Sequence, residues 1–435
     1  MIGPCRLKDL SQVEVERIIY RRRSLESIKS TVQSILEDVR KNGDEAVLKY
    51  TRLFDKVDLP RERLKVTGDE ITRAYKAVPK EATKALKEAA NNIAFVHRRQ
   101  LPRDRVLRNR GGIRVEQIFK PIERVGIYVP GGRASYPSTA LMAVIPAKVA
   151  GVSRISVCTP PNMEGGIDAA VLVALDLAGA DEIYKVGGAQ AIGAMAYGTE
   201  TIPCVDKIFG PGNIYVSAAK GLVYGQVGVD FQAGPSEILI YADETASPLL
   251  VAADILSQAE HDPDSVAVLV TSSEKIAHEA KGAVEKLVER EERSSIINDS
   301  LAKNSAILIV EDEKEAIEFI NRFAPEHLEL LVKRPKRLLR GLRSAGSISI
   351  GPYTPVAATD YAVGSNHILP TANSASFTSS LTVYDFMKAI YVQTLTKGGL
   401  RRLKRVVSTL AKYEGFSAHA HSVDARFVRE VHMCE

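Results

Sequence analysis

Two short segments concentrate groups able to do chemistry in a chain with only eight histidines. Pro325-Glu326-His327 sets a carboxylate beside an imidazole directly after a proline, a way of presenting two acid/base groups to a cleft. Imidazole, with an ordinary pKa of about 6.5, is the natural proton acceptor near neutrality. Gln258-Ala-Glu-His261 closes a helical pattern, and positions i and i+3 share a face, so Gln258 and His261 point the same way. Imidazole is a good zinc ligand and a side-chain amide oxygen a rarer one. Asp360, His367 and the terminal Glu414-Gly-Phe-Ser-Ala-His419 carry further groups of these kinds. Taken singly, each has an ordinary structural explanation. His97, His278 and His432 lie in charged helical or tail surroundings and read as solvated, and His421 as surface.

Elements must bring these scattered residues together. From about residue 124, short Val/Ile-rich runs alternate with helical patterns: strands at 125–129, 154–158, 182–186, 207–209, 238–241, 266–270 and 306–310, with helices between them. That alternation implies parallel pairing through right-handed crossovers, hence a doubly wound α/β architecture. Three glycine-rich turns follow strands, Val129-Pro-Gly-Gly132, Val186-Gly-Gly-Ala-Gln190 and Phe209-Gly-Pro-Gly-Asn213. Glycine there lets backbone approach a ligand, and the next helix N-terminus favours phosphate, although none is the G-x-G-x-x-G fingerprint and tight-turn chemistry explains each one as well. The first hundred or so residues read as helical. One stripe is Val32, Ile35, Leu36 and Val39, with Gly43 as a stop; a second, after Pro79, is Ala82, Ala85, Leu86, Ala89, Ile93 and Val96. Residues 361–384 form an uncharged polar stretch suited to a loop-rich surface. From Leu400, the stripe Leu403, Val406, Val407 and Leu410 leads to Gly415 and a tail too small for its own core, suited to lying on another domain or subunit. The expected division is 1–120 helical, 121–235 and 236–375 α/β, and 376–435 a helical tail.

Composition narrows the class. The 435 residues are 45% hydrophobic and 26% charged, an ordinary soluble balance. Lys+Arg 58 against Asp+Glu 53 leaves +5, with no basic run interleaved with aromatics, so nucleic acid and membrane are not expected partners. The N-terminus lacks an apolar segment of the secretory kind. Four spread cysteines without C-x-x-C fit a reducing cytoplasm. Cys158 and Cys204 raise a thiohemiacetal route, but neither has a neighbour that would lower its pKa.

Several longer segments, in order along nearly the whole chain, resemble the histidinol dehydrogenase family: Val39-Arg-Lys-Asn-Gly-Asp44, Val125-Gly-Ile-Tyr-Val-Pro-Gly-Gly132, Phe209-Gly-Pro-Gly-Asn213, Ala233-Gly-Pro-Ser-Glu237, Gln258-Ala-Glu-His261, Ala324-Pro-Glu-His-Leu328, Asn366-His-Ile-Leu-Pro-Thr371 and Glu414-Gly-Phe-Ser-Ala-His419. The resemblance implies two incomplete Rossmann-like domains with flanking helical pieces in an intertwined homodimer. It implies zinc on Gln258, His261, Asp360 and His419, with His419 and Glu414 reaching a second subunit's site, and Glu326 and His327 as the acid/base pair. Substrate contacts would come from Ser236, Gln258, His261, His327, Asp360, Glu414 and His419, with His367 a weaker candidate; Tyr128, Gln190 and Asn213 would hold NAD. The implied reaction is oxidation of L-histidinol through the aldehyde to L-histidine. Competing readings are a zinc- and NAD-dependent dehydrogenase of another alcohol, such as a sulfonated diol, a zinc hydrolase, and a metal-stabilised binding protein. The run Pro355-Val-Ala-Ala-Thr359 before Asp360 departs from the family pattern without replacing a functional position.

Overall fold

The computed structural model describes residues 2–21, 26–131, 135–230 and 234–428; Gly132, Ala233, His432 and Cys434 lie outside them. Two compact units emerge, Met1–Gln100 with Ile122–Phe386, and Leu101–Pro121 with Met387–Glu435.

The larger unit contains two all-parallel sheets. In the first, Arg124–Tyr128 is central; Arg154–Thr159 and Glu182–Lys185 step to one side, Lys207–Phe209 and Gly228–Val229 to the other. In the second, Glu237–Ala242 is flanked by Val266–Thr271, Ala306–Ile309 and Ile2–Arg6 on one side and by His327–Leu331 and Ser347–Ile350 on the other. The doubly wound α/β reading therefore holds, with strand order reversing at Arg124–Tyr128 in the first sheet and at Glu237–Ala242 in the second. Strands buried on both faces read as continuous apolar runs rather than alternations, which is why Ile238–Ala242 and Val266–Val270 are legible. The helix Pro137–Ala150 lies in the same interior and is apolar nearly all round.

Several local expectations are corrected. Ile2–Arg6 is a strand on the edge of the second sheet, not part of a helical segment. Of the second stripe, Ala82 and Ala85 are exposed while Ile93 is buried as expected, and the helix Lys80–Arg98 also buries His97, which lay outside the stripe. His97 is fully buried rather than solvated: its Nδ1 meets Gln100 Oε1 at 2.8 Å, and burial lowers its pKa. Residues 361–384 are loop-rich but thread the interior, burying Asn366, Ile368, Leu369, Leu381 and Val383.

In the smaller unit, Met387–Leu395, Ile113–Pro121 and Arg105–Arg110 form an antiparallel sheet, followed by helices Lys397–Tyr413 and Ser417–Ala425. Periodicity does not signal this sheet, because its strands carry charges and bury little.

Gly43 interrupts the long helix Glu26–Tyr50 at φ 52° and ψ −128°, a backbone state that L side chains rarely adopt. The break delivers the fully buried Asp44 to Thr201, whose N–H and hydroxyl donate to its carboxylate at 3.3 and 2.5 Å; Arg61 Nε adds a third contact at 3.3 Å. Glu200 in turn accepts the Asp44 N–H at 2.8 Å. The Val39–Asp44 motif is thus a clasp between the N-terminal helices and the first α/β layer. Replacing Asp44 by Ala should lower unfolding stability by about 2–3 kcal/mol in denaturant titration, since charge-assisted bonds are lost and Thr201 is orphaned.

Candidate functional site

The amino ends of the second sheet carry most of the acid/base groups. The helix Glu313–Phe323 ends at Ala324 in the left-handed region, and Pro325 then turns Glu326 and His327 into the start of the strand His327–Leu331. Arg21 fixes this corner. It grips Glu237 through Nε and Nη2 at 3.0 and 2.7 Å, donates to the Phe323 carbonyl at 3.2 Å, and lies over the Phe323 ring. Both Arg21 and Glu237 are almost wholly buried, so the paired geometry offsets the cost of desolvation. The Glu237 N–H then donates to Glu326 Oε2 at 2.7 Å.

His327 Nε2 stands 3.7 Å from Asp360 Oδ1. The Asp360 carbonyl meets His367 Nδ1 at 2.8 Å, and His367 Nε2 meets Thr139 Oγ1 at 3.3 Å. The loop carrying His367 is anchored by buried Asn366, which donates to the Met142 carbonyl at 2.6 Å. His261, one turn after Gln258, adds its field to both His327 and His367.

Burial dominates the electrostatics. It pushes His327 down to about 3 and His367 down to about 4, so both imidazoles stay neutral. It pushes Asp360 up to about 7, and Glu326 well above the usual carboxylate range, helped by Glu237 and Asp360. Asp360 Oδ1, His327 Nδ1 and Gln258 Nε2 are buried without hydrogen-bond partners. Buried polar atoms without partners call for one, and carboxylate oxygen and imidazole nitrogen are donors that suit a divalent cation. Among the described residues no three His, Cys, Asp or Glu side chains gather tightly enough to hold a metal on their own.

A second group lies at the carboxyl ends of the first sheet. Gln190 is fully buried with both amide atoms unpartnered, and Tyr128 accepts the Gly188 N–H at 3.1 Å. Asn213 is exposed and caps the helix Ile214–Val223 with its side-chain oxygen. Ser236, half-buried, immediately precedes Glu237. Glu414 and His419 belong to the smaller unit and are exposed there, with His419 against the Phe416 ring at 5.4 Å. Cys158 is sealed and its thiol is raised by burial, which fits a small core residue rather than a nucleophile.

Sequence reasoning gave His367 too little weight and missed the carboxyl pair Asp254–Glu329. Glu329 lies two residues beyond His327 on the same strand face, and Asp254 one turn before Gln258. Burial and Asp254 push Glu329 up to about 9. A lone carboxylate inside Leu328-Glu329-Leu330 was the available signal.

The histidinol dehydrogenase family model matches residues 20–427. The chain belongs to the histidinol dehydrogenase family. Members similar to it include the histidinol dehydrogenases of Methanothermobacter thermautotrophicus (49% identical, 95% of this chain and 96% of the relative) and Methanocaldococcus jannaschii (49%, 97% and 98%). The crystal structure of histidinol dehydrogenase from Elizabethkingia anophelis superposes with a TM-score of 0.93 at 39% identity over 98% of each chain. Family membership thus spans both units.

Asp360→Asn should stabilise protein stripped of divalent metal. A carboxyl raised from 3.8 to about 7 keeps its full contribution below pH 3.8 and loses it as pH rises toward 7. Removing it should gain up to about 4 kcal/mol at pH 8 and nothing at pH 3.5, read from thermal unfolding in chelator.

Proposed function

We propose that this protein oxidises L-histidinol to L-histidine through the aldehyde, as a zinc- and NAD-dependent enzyme of the cytoplasm. The observation carrying the reading is the convergence of neutral His327, proton-rich Glu326 and orphaned Asp360 at one sheet edge within a full-length family match.

Gln258, His261 and Asp360 would hold zinc, with His419 of a second copy as the fourth ligand; zinc then supplies a positive centre that orients the substrate. Support for the second copy comes from the smaller unit taken by itself. It exposes Val406, Leu410, Tyr391 and Phe416, each more than half accessible, on a scaffold with almost no core. Glu414 and Ser236 would contact substrate. Tyr128, Gln190 and Asn213 would hold NAD, which supplies the hydride acceptor; the sealed, unpartnered amide of Gln190 fits a polar ligand at that edge.

In the alcohol step His327, kept neutral by burial, takes the hydroxyl proton, a contribution of about 10²–10⁴-fold for a positioned base. Glu326 then activates the water that hydrates the aldehyde, and His327 accepts the proton of the hydrate. A buried carboxylate is a stronger base than an exposed one, but it must first ionise, so turnover should rise with pH on the alkaline side of neutrality. Each oxidation releases one hydride and one proton, and the carboxylic acid formed from the hydrate then ionises, so one water is consumed and two hydrides and three protons are released per histidine carboxylate formed.

The test is zinc-loaded protein with L-histidinol and NAD: two reduced nicotinamides per histidine support the reading, whereas no nicotinamide reduction overturns it. Glu326→Gln should slow aldehyde oxidation about 10²-fold or more while alcohol oxidation changes much less; equal losses would contradict the division of labour. His261→Asn should lose bound zinc by elemental analysis, and normal zinc content would contradict its role as a ligand.

A further inference from the structure

One unsatisfied buried carboxylate lies far from the acid/base cluster. Asp55 ends the single turn Thr51–Asp55, and the next residue, Lys56, sits at φ 60° and ψ 29°, a left-handed state that reverses the chain. Beyond it Val57, Leu59 and Leu64 are buried. The backbone is then stitched along the edge of the first sheet: Lys185 N–H donates to the Leu64 carbonyl at 2.8 Å, and Val66 N–H to the Ile183 carbonyl at 2.9 Å. These contacts carry Asp55 to the carboxyl ends of Arg154–Thr159 and Glu182–Lys185. A methyl carbon built on Gly187 would stand 2.6 Å from Pro160 Cβ and 3.3 Å from Asp55 Oδ1; one built on Gly188 would stand 2.6 Å from Gln190 Oε1. Asp55, Gln190 and Tyr128 therefore crowd one glycine turn.

Asp55 Oδ2 has no hydrogen-bond partner, nor has either amide atom of Gln190. Burial raises Asp55 to about 6. In parallel sheets with this strand order the dinucleotide lies across the carboxyl ends, and an acidic side chain after the second strand accepts the ribose hydroxyls of its adenosine half. Here the second strand runs into Thr159-Pro160-Pro161-Asn162 and offers no carboxylate.

We propose that Asp55, reaching over from the N-terminal segment, fills that place: it accepts the adenosine ribose hydroxyls of NAD and repels the 2′-phosphate of NADP. This rests on the dinucleotide reading above. A carboxylate with a free oxygen recognises a vicinal diol and disfavours a second anion in the same dry pocket.

Calorimetric binding of NAD⁺ and NADP⁺ to the full-length protein, without alcohol substrate, tests it. Wild-type protein should bind NAD⁺ at least about tenfold tighter than NADP⁺, and Asp55→Asn should weaken NAD⁺ about tenfold and bring the ratio toward one. A folded Asp55→Asn or Asp55→Ala protein with the wild-type preference intact overturns the proposal while leaving the dinucleotide reading in place. Should both variants fail to fold, equal wild-type affinities for the two dinucleotides overturn it. Wild-type protein that binds neither brings down the dinucleotide reading and the proposal with it.

Discussion

The hydrogen bond from the Glu237 N–H to Glu326 Oε2 is the constraint on which the candidate site depends. It exists because Glu237–Ala242 and His327–Leu331 are paired neighbours in register, with His327 opposite Ile238. Glu326 therefore sits one residue before the ladder starts. Arg21 locks the same corner from behind by clamping the Glu237 carboxylate and the end of the helix that precedes Glu326. Loss of that register would move Glu326 and His327 together.

The two sheets use opposite edges. The first presents Tyr128, Gln190, Asn213 and Asp55 at or beside the carboxyl ends of its strands, where doubly wound sheets ordinarily take ligands. The second presents Ser236, Glu326 and His327 at its amino ends, with Gln258 and His261 at and just past the C-terminus of the helix Pro248–Ala259 between Glu237–Ala242 and Val266–Thr271. Its own carboxyl edge is lined by five carboxylates, Asp243, Glu244, Glu311, Asp312 and Glu313, against two cations, Lys333 and Arg334, a net acidic environment that disfavours phosphate. In the proposed reading, one sheet takes the dinucleotide and the other presents acid/base groups around the ion.

Strands and helices from Arg124 to Ile309 were legible because parallel strands bury both faces and leave unbroken Val/Ile runs between glycine turns. The antiparallel sheet of the smaller unit was not, since Arg105–Arg110 is exposed along its whole length and its neighbour Ile113–Pro121 pairs on the other side with Met387–Leu395, nearly three hundred positions later. His97 misled for a related reason: Lys87, Glu88, Arg98 and Arg99 suggest solvent, but its own turn of the helix faces Asn366. Glu326 and His327 were readable as a pair from their proline context. Asp55 was not, because its meaning comes only from the turn it meets across the sheet edge.

The central claim of the proposed reading is that burial raises the Asp360 carboxyl and that zinc, on binding at the second sheet's amino edge, would replace its proton. Infrared difference spectroscopy on metal-free protein near pH 6, before and after zinc addition, measures this directly. Loss of the carbonyl stretch of a protonated carboxylic acid as zinc binds, with gain of carboxylate absorption, is the predicted result. Stoichiometric zinc binding with no change in the carboxylic-acid band would contradict the account.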